Sequence, residues 1–252
     1  MELARTAIGL VAAVSIPAGL TWYKQRPAVA ILFAAAYAAI IVLPVSRTAS
    51  AWLTLLAVVL LAGCIAVFCR PWPAVFGNFH GMAVPVMSPA RYGAAAGAAV
   101  SIALLVYVGG DPVLGNLESI TEADDRLLIT CSGLLIAVFG CQFIIGLIVR
   151  PLLQEIEAKI TSGGLPSSVR DFIKVGPHVG WIERFILFAF LASGSPEAAA
   201  LVVTAKSFAR APEAREGGKL VGDYYLIGTL ASVAAALLAA GVTRVILGLS
   251  PL

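Results

Sequence analysis

Three charged residues interrupt apolar stretches that otherwise have the length of membrane spans: Glu183 and Arg184 within 177–194, and Lys206 within 196–210. On insertion scales a charge inside a span costs from about 3 kcal/mol upward, so each of the three calls for a partner or a water-filled cavity. Together with Ser207, Arg210, Asp223, Tyr224 and Thr229 they form a candidate substrate-binding set. Opposite charges and hydroxyls of this kind suit a small or amphipathic solute, or a proton. The competing reading is structural: an ion-pair cluster that locks helices together while its longer side chains reach toward the headgroups. Arg210 fits an inner-surface anchor.

Other chemistries lack parts. Ser195 sits in a turn before Pro196 with no histidine at the same depth, so a serine nucleophile has no base. Aspartyl chemistry needs two carboxylates sharing a site and the other spans offer no Asp to match Asp223, while Asp-rich signatures that hold Mg²⁺ in membrane prenyl and phosphatidyl transferases are missing. An enzyme is therefore disfavoured, and no catalytic residue is nominated. His80 and His178 lie about a hundred residues apart, whereas haem ligands must face each other across a bundle, so both read as loop histidines with local hydrogen bonds. No cluster has zinc-site spacing and no glycine-rich phosphate loop opens a helix, so neither metal nor cofactor is expected. Cys64, Cys69, Cys131 and Cys141 read as small packing residues.

The C-terminal third carries three ordered motifs: Gly180-Trp181-Ile182-Glu183-Arg184, Ala205-Lys206-Ser207-Phe208-Ala209-Arg210, and Tyr224-Tyr225-Leu226-Ile227-Gly228-Thr229-Leu230-Ala231-Ser232. Over roughly residues 176–245 the chain resembles a group of uncharacterised bacterial integral membrane proteins. That group carries Gly-x-Leu-Glu-Arg, Ala-Lys-Ser-x-Ala-Arg and Tyr-x-x-Ile-Gly-Thr-Leu-x-Ser in this order, and Trp181-Ile182 departs slightly from its first pattern. The resemblance implies functional weight for these residues and transfers no reaction.

The elements that must position the charges form a helical hairpin. Ser195 before Pro196 is the favoured order for an N-cap followed by a first-turn proline, which makes 193–195 a tight turn. Glu183 lies eleven residues before Gly194 and Lys206 eleven after Ser195, so in an antiparallel pair they share a depth about 16 Å below the turn. The two are expected to meet within about 4 Å. Arg184 points about 100° away around its helix and needs another acceptor: a backbone carbonyl, Asp223 or a headgroup.

Composition sets the surroundings. Of 252 residues 60% are hydrophobic and 12% charged, about half the charged fraction of an ordinary soluble domain. The fold class expected is an all-α transmembrane bundle of about eight spans, at 7–23, 28–45, 49–68, 94–108, 127–149, 177–194, 196–210 and 224–248, the seventh short enough to stop before the far side. The N-terminal apolar run has no clean small-residue cleavage site before Lys24 and Arg26, and is taken as the first span. One integral domain is expected over 1–252, in segments 1–93, 94–175 and 176–252.

Lys24, Arg26, Arg70, Arg91, Arg150, Lys159, Arg170, Lys174, Lys206, Arg210, Arg215 and Lys219 gather on one face. Arg5, Arg47, Arg126 and Arg244 remain on the other, with Asp111, Glu118, Glu122, Asp124 and Asp125. The positive-inside rule then puts both termini outside a bacterial inner membrane, with the bias weak before Arg91. The stretch 71–89 is too short to cross and reads as a loop on, or dipping into, the inner face. Thr121 to Asp124 resembles a capping box opening a helix that Pro151 bends, after which Leu152, Leu153, Ile156 and Ile160 form an amphipathic inner extension ending at 161–164.

The basic residues are scattered at the ends of apolar runs and not gathered into a stripe, so no nucleic-acid partner is expected. The partners expected are the lipid bilayer and, through the small-residue stripe Gly228, Ser232, Ala236 and Ala240, a second copy or another membrane helix, although packing within the chain is the plainer use of such a stripe. Gly93 and Gly97 give a shorter signal of the same kind. Two functions stand: binding or transport of a small solute or amphiphile in a polar pocket of the last three helices, and a non-catalytic scaffold or subunit of a membrane complex.

Overall fold

A computed structural model describes residues 2–42, 49–70, 75–79, 82–86, 88–109, 122–216 and 218–251. Arg47, His80, the acidic residues Asp111 and Glu118, and Thr121 of the expected capping box lie outside this set, as do the side chains of Glu122, Asp124 and 209–216. The helices are α1 (Glu2–Gly19), α2 (Trp22–Gln25), α3 (Pro27–Val42), α4 (Ala49–Phe68), α5 (Pro89–Gly109), α6 (Glu122–Leu135), α7 (Gln142–Thr161), α8 (Ser168–Ala192), α9 (Pro196–Glu216) and α10 (Gly218–Ile246). A π-helical segment, Ile136–Gly140, joins α6 to α7.

The described residues of the expected spans are largely helical, the first being broken at Thr21 (φ 58°) between α1 and α2, but length and composition divide them. Among the described residues four helices are long and apolar enough to cross a membrane: Ala51–Phe68, Asp125–Thr161, Ser168–Ala192 and Gly218–Ile246. Ala4–Gly19, Pro27–Val42 and Ala90–Leu105 are apolar but shorter. α9, whose second half carries Lys206, Arg210, Glu213, Arg215 and Glu216, is not among the four. The stretch 71–89 departs from the loop expected there: Val75–Phe79 and Met82–Val86 pair as an antiparallel hairpin, with Val75 opposite Val86 and Phe79 opposite Met82. Val75, Phe76 and Phe79 in one strand and Val84 and Val86 in the other favour that pairing over an irregular path, which would leave backbone polar groups without partners.

The structure groups into two compact units, Met1–Leu128 and Ile129–Leu252. In the first, Ala30, Ala34 and Ala38 recur every fourth residue along α3 and are fully buried together with Ala13, Val58 and Ala62. Lipid tails are as apolar as leucine, so small residues that let helix axes approach supply the packing. Gly97 serves that purpose, since a methyl there would stand 2.7 Å from the Cys64 sulfur, whereas Gly93 meets nothing within 4 Å. Arg5 on α1, 0% exposed, is ion-paired with Asp125 on α6, so the N-terminus and the start of α6 lie at the same end of this unit.

In the second unit the stripe on α10 is spent internally. Ala236 and Ala240 are fully buried against Leu187, Phe188 and Leu191 of α8, and Ser232 is buried as well. These three positions make the close approach that small residues permit. Gly133 of α6 allows a similar approach, its missing side chain leaving space filled by Thr243 and by Phe188. The amphipathic extension of α7 is covered by the chain itself: Ile156 packs with Val169 and Val221, with Ile160 and Ile173 beside them. Gly194, at φ 80°, closes the turn between α8 and α9, and Arg244 donates to the Ala192 carbonyl at 3.0 Å and to the Ser250 carbonyl at 2.7 Å. A cation at the C-terminal end of α8 also meets the negative end of its dipole.

Replacing Gly133 by valine should destabilise the protein by about 1–3 kcal/mol through overpacking against Thr243 and Phe188. Gly63→Ala, where a methyl meets nothing within 4 Å, should be neutral or stabilising by up to about 1 kcal/mol. Thermal unfolding of the two variants in one detergent checks this, and equal midpoints would count against the close crossing.

Candidate functional site

The motif residues come together in the second unit because α8 and α9 are joined by a turn of only a few residues. Ser195 donates its N–H to Phe190 O at 2.9 Å, Gly194 to Leu191 O at 3.0 Å, and α9 begins at Pro196. Measured from that turn Glu183 and Lys206 are level, and their carboxylate and ammonium form the ion pair the spacing predicts. Their side chains are 14% and 17% exposed, so the pair is mostly enclosed without being sealed. Lys206 also stands 5.5 Å from the centre of the Tyr225 ring, and the Tyr225 hydroxyl donates to the Lys206 carbonyl at 3.3 Å. That ring adds a cation–π attraction of roughly 0.5–2 kcal/mol, and it comes from the residue next to the one singled out in the sequence.

Arg184, turned away from the pair, is 1% exposed and meets three neutral acceptors. Its Nε and Nη2 both donate to Val138 O, at 3.2 and 2.7 Å; Nη2 also donates to Gln142 Oε1 at 2.7 Å, and Nη1 to Ser232 Oγ at 3.2 Å. Of the acceptors open to it in sequence terms, a backbone carbonyl is the one used, and Asp223 is not. Val138 lies inside the π segment, where Cys141 N–H reaches back five residues to Ile136 O at 2.9 Å. A wider turn displaces carbonyls from the regular ladder, which is why such bulges recur where a side chain needs backbone oxygen. Side chains on a helix lean toward its N-terminus, so the Arg184 guanidinium lies back over Gly180, where a methyl would come within 3.2 Å of Nη1. The first motif thus has a physical reason: glycine four residues before the arginine makes room for it.

A cavity of about 180 Å³ lies beside these groups. Gln142, Glu183, Arg184, Lys206, Thr229 and Ser232 give it polar walls, while Ile145, Val149, Leu153 and Ile173 give it apolar ones. Gly146 and Gly228 also line it, and no atom would meet a methyl at Gly146 within 4 Å. At about 30 Å³ per water, the space holds roughly six.

Of the eight residues nominated from the sequence, Glu183, Arg184, Lys206, Tyr224 and Thr229 line this cavity. Two are corrected. Ser207 does not line it, since its hydroxyl donates back to Val203 O at 2.9 Å on its own helix. Asp223 does not line it either and takes no part in holding Arg184. Arg210 has its backbone in α9, with its side chain outside the described residues. Gln142, Ser232, Tyr225 and the Val138 carbonyl are the additions. Ser232 carried a signal as the last residue of the third motif; a π-segment carbonyl leaves none. His178 packs edge-on against Trp181 at 5.0 Å, and no group of His, Cys, Asp and Glu suited to a metal occurs among the described residues.

No protein-family model, curated protein or solved structure matches the chain. The site is therefore read from its own geometry.

Arg184→Lys should lose at least two of the four hydrogen bonds, because one ammonium cannot reach Val138, Gln142 and Ser232 in the planar fork that guanidinium presents. The expected cost is about 3 kcal/mol or more, at roughly 1.5–3 kcal/mol for each hydrogen bond to a charged group. A denaturation midpoint unchanged from wild type would show that the bonds are not made.

Proposed function

We propose that this is a multi-pass membrane protein that binds, and through that binding transports, a small or amphiphilic solute at the polar cavity of its last three helices. The observation that carries the reading is the cavity itself. A cluster serving only to lock helices together is expected to be dry and fully packed, whereas this one stands beside space for about six waters. The buried charges then serve as ligand contacts, and the apolar walls accommodate the rest of the solute. The resemblance of the three motifs to uncharacterised bacterial membrane proteins fits this placement, and we carry it as part of the proposal.

The same reading places all eight apolar segments in a bacterial inner membrane with both termini outside. The Arg5–Asp125 pair supports it for the N-terminal half, where the basic bias is weak, by tying the first helix to the end that carries the acidic residues. The scaffold alternative draws on the large apolar side chains that α9 leaves uncovered, Leu201 and Phe208, at 70% and 78% exposure. In a bilayer those side chains meet lipid, so they do not by themselves call for a partner.

Two measurements test the reading. Native mass spectrometry of the protein released from nanodiscs should find a small molecule retained by wild type and Lys219→Ala but lost from Lys206→Ala; equal retention by both variants, or none in wild type, sinks the solute reading. In a cysteine-free background, externally added maleimide should label Glu118→Cys and not Ser168→Cys. The reverse pattern would invert the orientation.

A further inference from the structure

We propose that the cavity of the unit Ile129–Leu252 is a site for a small monocarboxylate, selected by one unbalanced positive charge in its walls. The proposal rests on the solute-binding reading above and names the class of solute. Glu183 and Lys206 compensate each other in their ion pair. Arg184 has no such partner: all its acceptors, Val138 O, Gln142 Oε1 and Ser232 Oγ, are neutral. Guanidinium stays protonated throughout the accessible pH range, so the described walls carry a net charge of one positive unit.

An enclosed charge without a counterion is unfavourable, and an anion entering the cavity relieves it. One carboxylate balances the walls; a phosphate monoester or dicarboxylate overshoots, and a cation adds repulsion. Hydroxyls of Tyr224 and Thr229 line the same space, carry no hydrogen bond to a described residue, and can donate to carboxylate oxygen. Size narrows the class further. A volume of about 180 Å³ suits a carboxylate bearing roughly three to five carbons, with Ile145, Val149 and Ile173 against the alkyl part. Such a group has two sources: a short free acid from water, or the head of a fatty acid whose tail leaves through the open side of the cavity.

The test uses the full chain in phosphatidylcholine nanodiscs and calorimetric binding of butyrate against its neutral counterpart butyramide. Butyrate should bind at least roughly tenfold tighter, as expected of a charge felt across a few ångströms of partly shielded interior. Two variants then move the wall charge in opposite directions. Glu183→Gln raises the excess and should tighten butyrate, whereas Lys206→Gln cancels it and should weaken butyrate, each roughly severalfold. If the pair merely holds the helices together, both variants weaken binding alike, and that result overturns the proposal. Butyrate and butyramide binding equally would also overturn it while leaving the solute reading in place.

If no carboxylate binds but native mass spectrometry finds another molecule in the cavity, the carboxylate class fails and the solute reading survives. An empty wild-type protein in both experiments sinks the two together. A series from propionate to laurate separates the sources: affinity peaking near four carbons supports a free acid, and affinity climbing to laurate supports a membrane fatty acid.

Discussion

The burial of Arg184 is the constraint around which the second unit is built. A guanidinium at 1% exposure must replace its lost hydration bond by bond, and here it does so on three elements at once: the π segment, the first turn of α7 and the middle of α10. Each contribution demands something of the local sequence. Gly180 clears space over α8, Val138 presents its carbonyl from a widened turn, and Ser232 places a hydroxyl within the small-residue stripe of α10. Substituting the arginine therefore disturbs the fit of three helices as well as removing a charge.

The two kinds of cation in the site are held differently, and the difference follows from their chemistry. Arg184 spreads its charge over a planar fork with four hydrogen bonds, which fixes its position. Lys206 is a point charge on a flexible stem, opposed by Glu183 on one side and by the Tyr225 ring on the other. Its side chain is 17% exposed and borders the cavity, so the ammonium can exchange a contact with Glu183 for one with water or solute at small cost. Arg184 provides a standing field and Lys206 a movable contact.

Legibility from sequence tracks how local the determining interaction is. The hairpin of α8 and α9 was readable because Ser195 and Pro196 mark the turn, and the meeting of Glu183 with Lys206 followed from equal spacing about it. Helix positions were readable from apolar runs, and the packing of Ser232, Ala236 and Ala240 against the chain's own helices from their period of four. The partner of Arg184 was not, because a backbone carbonyl has no residue identity and a π bulge in Ile136–Gly140 has no distinguishing composition. The pairing of Val75–Phe79 with Met82–Val86 was hidden because Asn78 and Pro85, both poor strand residues, interrupt the runs of valine and phenylalanine that favour it. Ser207 follows Lys206 directly in sequence, and that one step turns its side chain about 100° away around the helix from the ion pair.

The same geometry explains how a cavity survives in an otherwise close-packed bundle. Arg184 pulls the π segment, α8 and α10 together at the level of Val138 and Ser232, and Ala236, Ala240 and Phe188 pack tightly from there toward the turn at Gly194. In the other direction the helices are next pinned at Ile156, Val169 and Val221. Between these two fixed levels the walls are lined by Gly146, Gly176, Gly180 and Gly228, residues with no side chain to fill the gap. Leucine or isoleucine at Gly146 or Gly228 would close the space without adding a charge or breaking a hydrogen bond. The cavity is thus a property of where the glycines fall between two pinned levels, and the charged motif residues line a space that the small residues create.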